Sequence, residues 1–235
     1  MYTVFDSRVR YSETDQKGQL SVKSLFDYLQ DCCIFQSEDL GEGVAALQEK
    51  GRAWLLVSWN IEIVRPPIRG ERIRIWTWPY HIKRFFARRG HAVENEDGEI
   101  LVKANSIWTF VDTVSGRAVN IPQEEIDLYK AEERMDLPFG KRKVECSGVC
   151  TTEEVVRIHS HQIDSNGHTN NSQYVVMSAD VLPEDFQYSR IRVEYAREAV
   201  LGDLVIPKLY TEDDRCTVDL VSEDGKRFAA VEFTA

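Results

Sequence analysis

The fold is decided by two segments that align with each other, RYSETDQKGQLSVKSLFDYL at residues 10–29 and HSHQIDSNGHTNNSQYVVMS at residues 159–178. Three positions of the alignment stand out: Asp15 with Asp164, Gly18 with Gly167, and Leu25 with Tyr174. An alternating strand pattern precedes each segment, and an apolar run with helical spacing follows it. An internal repeat of this kind indicates one structural unit that is present twice.

A second pair of blocks aligns in the same order, IEIVRPPIRGERIRI at residues 61–75 and VEYAREAVLGDLVIP at residues 193–207. The matched positions are Glu62 with Glu194, Arg65 with Arg197, and Gly70 with Gly202. The chain between the two blocks is shorter in the second copy, which predicts a long helix over 21–50 but a brief one over 171–181. Alternating strands follow each matched glycine, and the turns NEDGE (95–99) and SEDGK (222–226) break them.

Each copy therefore reads as a strand, a helix and several antiparallel strands, which is an α+β layer. We predict an N-terminal unit at 1–121, a linker at 122–147 with a short helix around 123–135, and a C-terminal unit at 148–235. The two units could pair their sheets edge to edge, as a homodimer would. The alternative is two unrelated α+β domains, which two aligned blocks in the same order disfavour.

The composition is that of an ordinary globular protein: 235 residues, 43% hydrophobic and 29% charged. No apolar run reaches about 18 residues, and the first residues alternate rather than form a signal peptide, so we expect no membrane span and a cytoplasmic protein. The formal net charge of -10 argues against nucleic-acid binding, which needs basic surface.

Five cysteines, an odd number with Cys32 and Cys33 adjacent, do not form a disulfide framework. Cys146 and Cys150 lack a second Cys/His pair at zinc spacing, so no metal is expected. The chain contains no G-x-S-x-G, Walker A, G-x-G-x-x-G or H-E-x-x-H motif, which leaves hydrolase-elbow, nucleotide and zinc-protease interpretations without support.

The differences between the copies point to the chemistry. Where the first copy has Lys17, Gln19, Ser21 and Pro66, the second has Asn166, His168, Asn170 and Glu198. Histidine exchanges protons near neutral pH, a carboxylate can orient it or act on water, and an amide NH2 can donate to an oxyanion. The alternative is a helix cap that contains a histidine, with Asn170, Asn171 and Ser172 as cap residues and Asp164 closing a turn.

The chain resembles a known family at these residues. DSNGHTNN (164–171), followed by a helix, resembles the D-x-N-x-H-x-N-N signature of acyl-acyl-carrier-protein (acyl-ACP) thioesterases. VEYAREA (193–199) is similar to that family's E-Y-x-R-E-C segment, and VRYSETDQKGQLS (9–21) resembles the start of its N-terminal half. The resemblance covers essentially the whole chain and implies two hot-dog units in tandem, each an antiparallel sheet packed around a helix.

The resemblance implies hydrolysis of the thioester between a fatty acyl chain and the phosphopantetheine arm of acyl carrier protein, without a cofactor. The family's functional residues map onto Asp164, Asn166, His168 and Glu198, and a bacterial, cytoplasmic version is expected because no plastid-type extension is present. Ala199 stands where a cysteine is often found, which favours attack by water or a carboxylate. We expect Glu198 and His168 to activate water or protonate the leaving thiolate, Asn166 to polarise the carbonyl, and Asp164 to hold the loop.

The acyl chain and the carrier protein suggest further sites. We predict an acyl slot between helix and sheet of the first copy, with Trp54 and Trp76 in contact with substrate, although these tryptophans could simply build the core. Asn170 is a further candidate for substrate binding. Because carrier proteins are acidic, docking needs local positive charge, and KRFFARR (83–89) and KRK (141–143) are the candidates. On an alternating strand Arg84 and Arg88 would share one face, with Arg89 on the other.

Three other functions remain open at this point. An acyl-CoA thioesterase of the same fold would act on the same bond with a different leaving arm. A hot-dog dehydratase would need a β-hydroxyacyl site and a histidine on a differently built loop. A non-catalytic acyl-binding module would not need the four polar residues, and a homodimer is possible for any of these.

Overall fold

The computed structural model describes residues 1–133 and 141–235. The described residues form two compact units, 1–57 with 63–133 and 58–62 with 141–235. Each unit is an antiparallel sheet with helices, so the predicted α+β class is confirmed.

The first unit contains five strands and three helices. They are β1 Thr3–Arg8, α1 Val22–Asp39, α2 Val44–Glu49, β2 Arg52–Ile63, β3 Arg72–Lys83, β4 Phe86–Asn95, β5 Ile100–Asp112 and α3 Gln123–Tyr129. The strand order is β1-β3-β4-β5-β2. The α1 helix lies on this sheet, where Phe5 of β1 packs against Tyr28 and Phe35 of the helix. Most of its apolar face is buried, and Leu29 is 0% exposed, whereas Phe35 near its C-terminal end is 42% exposed.

The single long helix predicted over 21–50 is wrong. The α1 helix ends at Asp39 and α2 begins at Val44. Gly41, with a φ of 77°, adopts the left-handed conformation that terminates helices. Two glycines, at 41 and 43, therefore divide a segment whose apolar spacing alone looked continuous.

The second unit contains six strands of its own and one helix. They are β6 Val149–Thr152, β7 Val156–Arg157, α4 Asn171–Ala179, β8 Arg190–Tyr195, β9 Leu204–Thr211, β10 Arg215–Val221 and β11 Arg227–Thr234. The order is β8-β11-β10-β9-β6, β7 also pairs with β9, and the segment Ser58–Glu62 of β2 pairs with β8. The short helix predicted over 171–181 is confirmed by α4. Its apolar face packs onto a core that includes Val205, Val218 and Phe228.

The two units repeat the same main-chain hydrogen bonds, position by position. Gly70 donates to Val9 at 2.9 Å, and Gly202 donates to Ile158 at 3.0 Å. Ser21 donates to Glu13 at 2.8 Å, and Asn170 donates to Gln162 at 2.9 Å. The turns NEDGE and SEDGK close the β4–β5 and β10–β11 hairpins as predicted. The internal repeat therefore exists at the level of individual bonds, and one unit serves as a reference for the other.

Residues 122–133 of the predicted linker pack on the first unit. Tyr129 of α3 bonds Ser37 of α1 through their hydroxyls at 2.8 Å, and Trp54 Nε1 donates to Glu125 at 3.2 Å. Residues 134–140, within the same predicted linker, lie outside the described residues. Among the helices at 1–133 and 141–235, none is both long and apolar enough to cross a lipid bilayer.

Candidate active site

The loop before α4 is shaped by Asp164. Its Oδ1 accepts the backbone N–H of Asn166 at 2.8 Å and of His168 at 3.2 Å. Gly167, with a φ of 82°, takes the left-handed position that this tight turn requires. Asp164 and His168 also pair through their main chains at 2.8 Å. The Asp164 carboxylate thus stabilises the loop conformation, and this conformation orients the His168 side chain.

Asn170 begins the helix. Its Oδ1 accepts the backbone N–H and the hydroxyl of Ser172, both at 3.0 Å. The interpretation of Asn170 as a helix cap is therefore confirmed, and Ser21 caps α1 in the same place in the first unit. The side-chain carbonyl oxygen of Asn170 is occupied by this cap. A contact between Asn170 and substrate stays a prediction.

His168 and Glu198 meet in space. Nδ1 of His168 lies 3.3 Å from Oε2 of Glu198, although 29 residues separate them in the chain. Their side chains are 39% and 49% exposed, so both remain accessible to water and to a ligand. A carboxylate at this distance can orient the imidazole. An accessible acid–base pair is the arrangement that proton transfer to or from a bound molecule requires.

The remaining predicted residues lie at different depths. Asn166 is exposed at the tip of the loop, two residues before His168. Ala199 is 0% exposed and belongs to the core of the second unit. A side chain at position 199 therefore faces the core in this protein, and the absence of a cysteine there leaves the His168–Glu198 pair intact.

Sequence reasoning missed two residues at this site, Thr169 and Tyr174. Both bond the main chain of Ala199, next to Glu198. The signal was present in the aligned copies, since the first copy has Leu20 and Leu25 at these two positions.

The two tryptophans predicted to line one slot lie on opposite faces of the first sheet. Trp54 packs against Phe110 at 4.9 Å and Tyr129 at 6.5 Å, beneath α3 on the side of α1. Trp76 neighbours Ile75, which pairs with the helix-facing Phe5, so Trp76 faces away from α1. The prediction that both line one helix–sheet slot is wrong, and Trp54 alone is on the helix side. Trp76 Nε1 is buried without a hydrogen-bond partner among the described residues.

The helix-facing layer of the first unit contains a buried polar cluster. Arg89 is 7% exposed, donates from Nη2 to Gln36 Oε1 and to Thr77 Oγ1, and lies over the Tyr129 ring at 5.7 Å. His91 is 0% exposed, and its Nε2 lies 2.8 Å from Ser106 Oγ.

Among the described residues of the second unit, the corresponding positions hold no such cluster. Cross-strand pairing places Thr77 opposite His91 and Leu209 opposite Val218. It likewise places Arg89 opposite Ser106 and Cys216 opposite Phe233. The corresponding positions of the two units are Thr77 with Leu209, Arg89 with Cys216, His91 with Val218, and Ser106 with Phe233. Four polar residues in one unit thus replace four residues of an apolar interior in the other.

The predicted docking patch is only partly exposed. Arg84 lies in the turn between β3 and β4 with a φ of 58°, so the prediction that it alternates along a strand with Arg88 is wrong. Arg89 is buried and cannot dock a partner, and that prediction is also wrong. Arg84 and Phe85 are exposed at the tip of the hairpin, and Arg88 is half-buried on β4. Within KRK (141–143) all three side chains are exposed.

The buried thiols are poor nucleophiles. Burial raises the pKa of Cys32 to about 12, and burial likewise raises the pKa of Cys33. Burial also raises the pKa of Cys216, which lies in the core of the second unit. In the part of the chain that the structure describes, no three His, Cys, Asp or Glu side chains are grouped to hold a metal ion.

Comparison with protein families places both halves of the chain. The model of the acyl-ACP thioesterase N-terminal domain matches residues 3–129, and the model of the C-terminal domain matches residues 150–234. A chloroplastic palmitoyl-acyl carrier protein thioesterase of Gossypium hirsutum is 28% identical over 231 residues, which cover 91% of this chain and 56% of that protein. The chain spans about half the length of the curated relatives it matches.

Solved structures share the fold. An acyl-ACP thioesterase from Bacteroides thetaiotaomicron superposes with a TM-score of 0.89 at 21% identity, covering 99% of this chain and 97% of that one. The 12:0-ACP thioesterase from Umbellularia californica superposes with a TM-score of 0.80 at 16% identity, covering 98% and 96%. The predicted fold of two hot-dog units in tandem is thereby confirmed.

Proposed function

Because the chain belongs to the acyl-ACP thioesterase family, we propose that it hydrolyses the thioester between a fatty acyl chain and the phosphopantetheine arm of acyl carrier protein. The observation that carries the proposal is the accessible pair of His168 and Glu198, with 3.3 Å between Nδ1 and Oε2. The first unit has Gln19 and Pro66 at the positions of His168 and Glu198. The fold of the second unit brings His168 and Glu198 together at the loop that Asp164 shapes. No cofactor is part of the proposal.

In the proposed reaction, Glu198 and His168 remove a proton from water as its oxygen bonds to the thioester carbonyl carbon. The carbonyl oxygen becomes an oxyanion, which the side-chain NH2 of Asn166 stabilises. When the oxyanion collapses, the carbon–sulfur bond breaks, and the His168–Glu198 pair returns the proton to the leaving sulfur. The products are a free fatty acid and the carrier protein's thiol. Asp164 contributes through the loop rather than by contact with the reacting atoms.

Direct attack by the Glu198 carboxylate, through an anhydride, is the alternative nucleophilic route. Single turnover in ¹⁸O-labelled water detects the anhydride route when water attacks the glutamyl carbon. Water attack on the thioester leaves Glu198 unlabelled, whereas hydrolysis of an anhydride at the glutamyl carbon puts label into its carboxylate.

The proposed function is tested by turnover of matched acyl-ACP and acyl-CoA substrates across chain lengths. Higher kcat/KM with acyl-ACP supports the proposal, and higher kcat/KM with acyl-CoA supports the related acyl-CoA thioesterase. Hydrolysis of neither, by a folded protein that still binds a fatty acid, would leave a non-catalytic acyl-binding protein.

We propose that the first unit selects the acyl chain. A chain that lies between α1 and the sheet is stabilised by apolar contacts such as Trp54, and it meets the polar cluster of Arg89 and His91. Burying methylene groups against a guanidinium and an imidazole loses the usual gain of about 0.8 kcal/mol per CH₂. The cluster would therefore set an upper limit on chain length.

We also propose that the exposed tip at Arg84 and Phe85, together with Arg88, contacts the acidic carrier protein. The net charge of -10 makes such local positive charge necessary for association. Charge reversal by Arg84→Glu should raise KM for acyl-ACP but not for a small thioester, and an unchanged KM at low salt removes the tip from the proposal. Self-association of the chain stays a prediction that sedimentation equilibrium can test.

A further inference from the structure

The main chain of Ala199 is held from both sides by buried hydroxyl groups. The backbone N–H and the hydroxyl of Thr169 donate to the Ala199 carbonyl at 2.8 and 2.9 Å. The Ala199 N–H donates to the hydroxyl of Tyr174 at 2.8 Å, and the Thr169 side chain also hydrogen-bonds Tyr174. Thr169, Tyr174 and Ala199 are 3%, 2% and 0% exposed, and we call these three residues the clamp.

The clamp joins two segments at positions adjacent to the His168–Glu198 pair. Thr169 follows His168 in the chain, and Ala199 follows Glu198. The functional side chains themselves are exposed, and exposed ion pairs are too weak to fix their own geometry. The separation of the two segments is therefore set by the main chain behind them, where the clamp lies.

The first unit shows which of these bonds the fold requires. Leu20, Leu25 and Pro67 occupy the positions of Thr169, Tyr174 and Ala199. The Leu20 N–H donates to the Pro67 carbonyl at 2.7 Å, so the main-chain contact is present in both units. Neither leucine has a hydroxyl, and proline has no N–H that would need an acceptor.

The turn therefore folds without the hydroxyl bonds. All three residues differ together, and the unit that has the hydroxyls is the unit that has the histidine and the glutamate. The first unit carries Gln19 and Pro66 in place of that pair.

We propose that the clamp is a positioning device that holds Glu198 opposite His168, with Tyr174 and Thr169 as its positioning residues. This inference rests on the proposed function, because it assigns the hydroxyl bonds to the reaction rather than to folding. A phenol hydroxyl suits the task, since in one buried place it accepts from the Ala199 N–H and bonds the Thr169 hydroxyl.

Tyr174→Phe tests the device by removing one hydroxyl from α4. The Ala199 N–H then has no acceptor in a buried place, and the segment that carries Glu198 shifts. We expect kcat to fall about 10-fold, as for other groups that orient a functional residue, with KM changed less than about 3-fold. Thr169→Val, which keeps the backbone bond but loses the hydroxyl, should lower kcat in the same way. Amide exchange at Ala199 should become faster in Tyr174→Phe.

The double variant Tyr174→Phe/Ala199→Pro supplies the rescue. Proline removes the N–H that Tyr174→Phe leaves unbonded, and Pro67 shows that this turn accepts proline. We expect kcat of the double variant to recover most of the loss. Tyr28→Phe is the matched control, because Tyr28 is a buried helix tyrosine of the first unit whose hydroxyl bonds Ser7 and Glu13. It should lower stability and leave kcat unchanged.

Three outcomes overturn the inference. One is unchanged kcat in Tyr174→Phe while the wild type is active. Another is a loss that proline does not rescue and that Tyr28→Phe shares, which marks a general effect of stability. If the wild type hydrolyses no thioester, the proposed function fails. Crystal structures of the wild type and Tyr174→Phe can still test whether the clamp positions Glu198. An equal distance from His168 Nδ1 to Glu198 Oε2 in wild type and Tyr174→Phe would then refute it.

Discussion

Asp164 makes the same two hydrogen bonds in the second unit as Asp15 makes in the first, to the N–H groups two and four residues ahead. The two aspartates therefore shape one loop, and only in the second unit does that loop carry a histidine. Loss of either carboxylate should lower the free energy of unfolding by about 1 kcal/mol. Asp164→Ala should also lower kcat, because the segment that directs His168 loosens, whereas Asp15→Ala should not.

Urea unfolding and thioester turnover of both variants check this prediction. Asp164→Asn, which keeps an acceptor oxygen, should retain more activity than Asp164→Ala. A loss of kcat in Asp15→Ala as large as that in Asp164→Ala would contradict the distinction between the two loops.

Much of the fold and of the site follows from comparing one half of the chain with the other. The aligned blocks predicted the tandem units, both glycine turns and the α4 cap, because these depend on residues close together in sequence. His168 and Glu198 were found because they replace Gln19 and Pro66 at matched positions. The same comparison contained Thr169 and Tyr174, whose meaning depends on a contact with the Ala199 main chain that local sequence does not show.

The errors have a common physical origin. KRFFARR reads as an alternating strand, but the hairpin turns at Arg84, which shifts the faces on which the later residues lie. Arg89 does lie on the face opposite Arg88, but that face is covered by α1, so Arg89 is buried and donates to Gln36 and Thr77. Likewise the spacing of apolar residues over 21–50 favours one helix, but Gly41 and Gly43 divide the segment into α1 and α2. In both segments a residue with positive φ, Arg84 or Gly41, ends the regular pattern of side-chain directions.

The pair of His168 and Glu198 should behave as one unit in mutagenesis. We expect His168→Ala and Glu198→Ala each to lower kcat/KM at least about 100-fold, the usual scale for general acid–base groups. The double variant should be little worse than either single variant, because each group acts through the other. Steady-state kinetics with one acyl-ACP measures all three.

His161→Ala is the control for the loss of a histidine, since this exposed residue lies seven positions before His168. It should retain full activity. Near-normal turnover in folded His168→Ala or Glu198→Ala, or strictly additive losses in the double variant, would remove the pair from the mechanism.

His91 should make the protein less stable in mild acid. Burial, and then the positive charge of Arg89, hold the pKa of His91 well below its usual value of 6.5. The unfolded chain binds a proton here as the pH falls through about 6.5, while the folded chain does not. The contribution of neutral His91 to the free energy of unfolding is therefore fully present above pH 6.5. Below pH 6.5 it falls by about 1.4 kcal/mol per pH unit.

Urea unfolding at pH 7.5 and 5.5 measures this loss. Other groups also titrate over this range, so the comparison is with His91→Val, which carries the residue of the second unit, Val218. The variant should be less stable at pH 7.5 because the buried Ser106 hydroxyl loses its hydrogen bond to His91 and keeps only the one from Trp108 Nε1. Its loss on acidification should be smaller than that of the wild type by about 1.4 kcal/mol. Parallel pH profiles would show that His91 takes up its proton in the folded state.

Arg89 should limit the length of the acyl chain, and its neighbour Arg88 should not. The two side chains point to opposite faces of β4, with Arg89 among Gln36, Thr77 and Tyr129 beneath α1. Arg89→Met replaces a buried guanidinium by an apolar, adaptable side chain of similar reach. Each methylene that then finds apolar surroundings gains up to about 0.8 kcal/mol, which is a factor of about 4 in kcat/KM. The ratio of kcat/KM for long over short acyl chains should therefore rise in Arg89→Met.

In Arg88→Met the same ratio should stay at the wild-type value even if KM for acyl-ACP changes, because a docking contact affects all chain lengths alike. An unchanged ratio in Arg89→Met would place the end of the acyl chain away from the polar cluster. Equal rises of the ratio in Arg89→Met and Arg88→Met would show a general effect of removing positive charge.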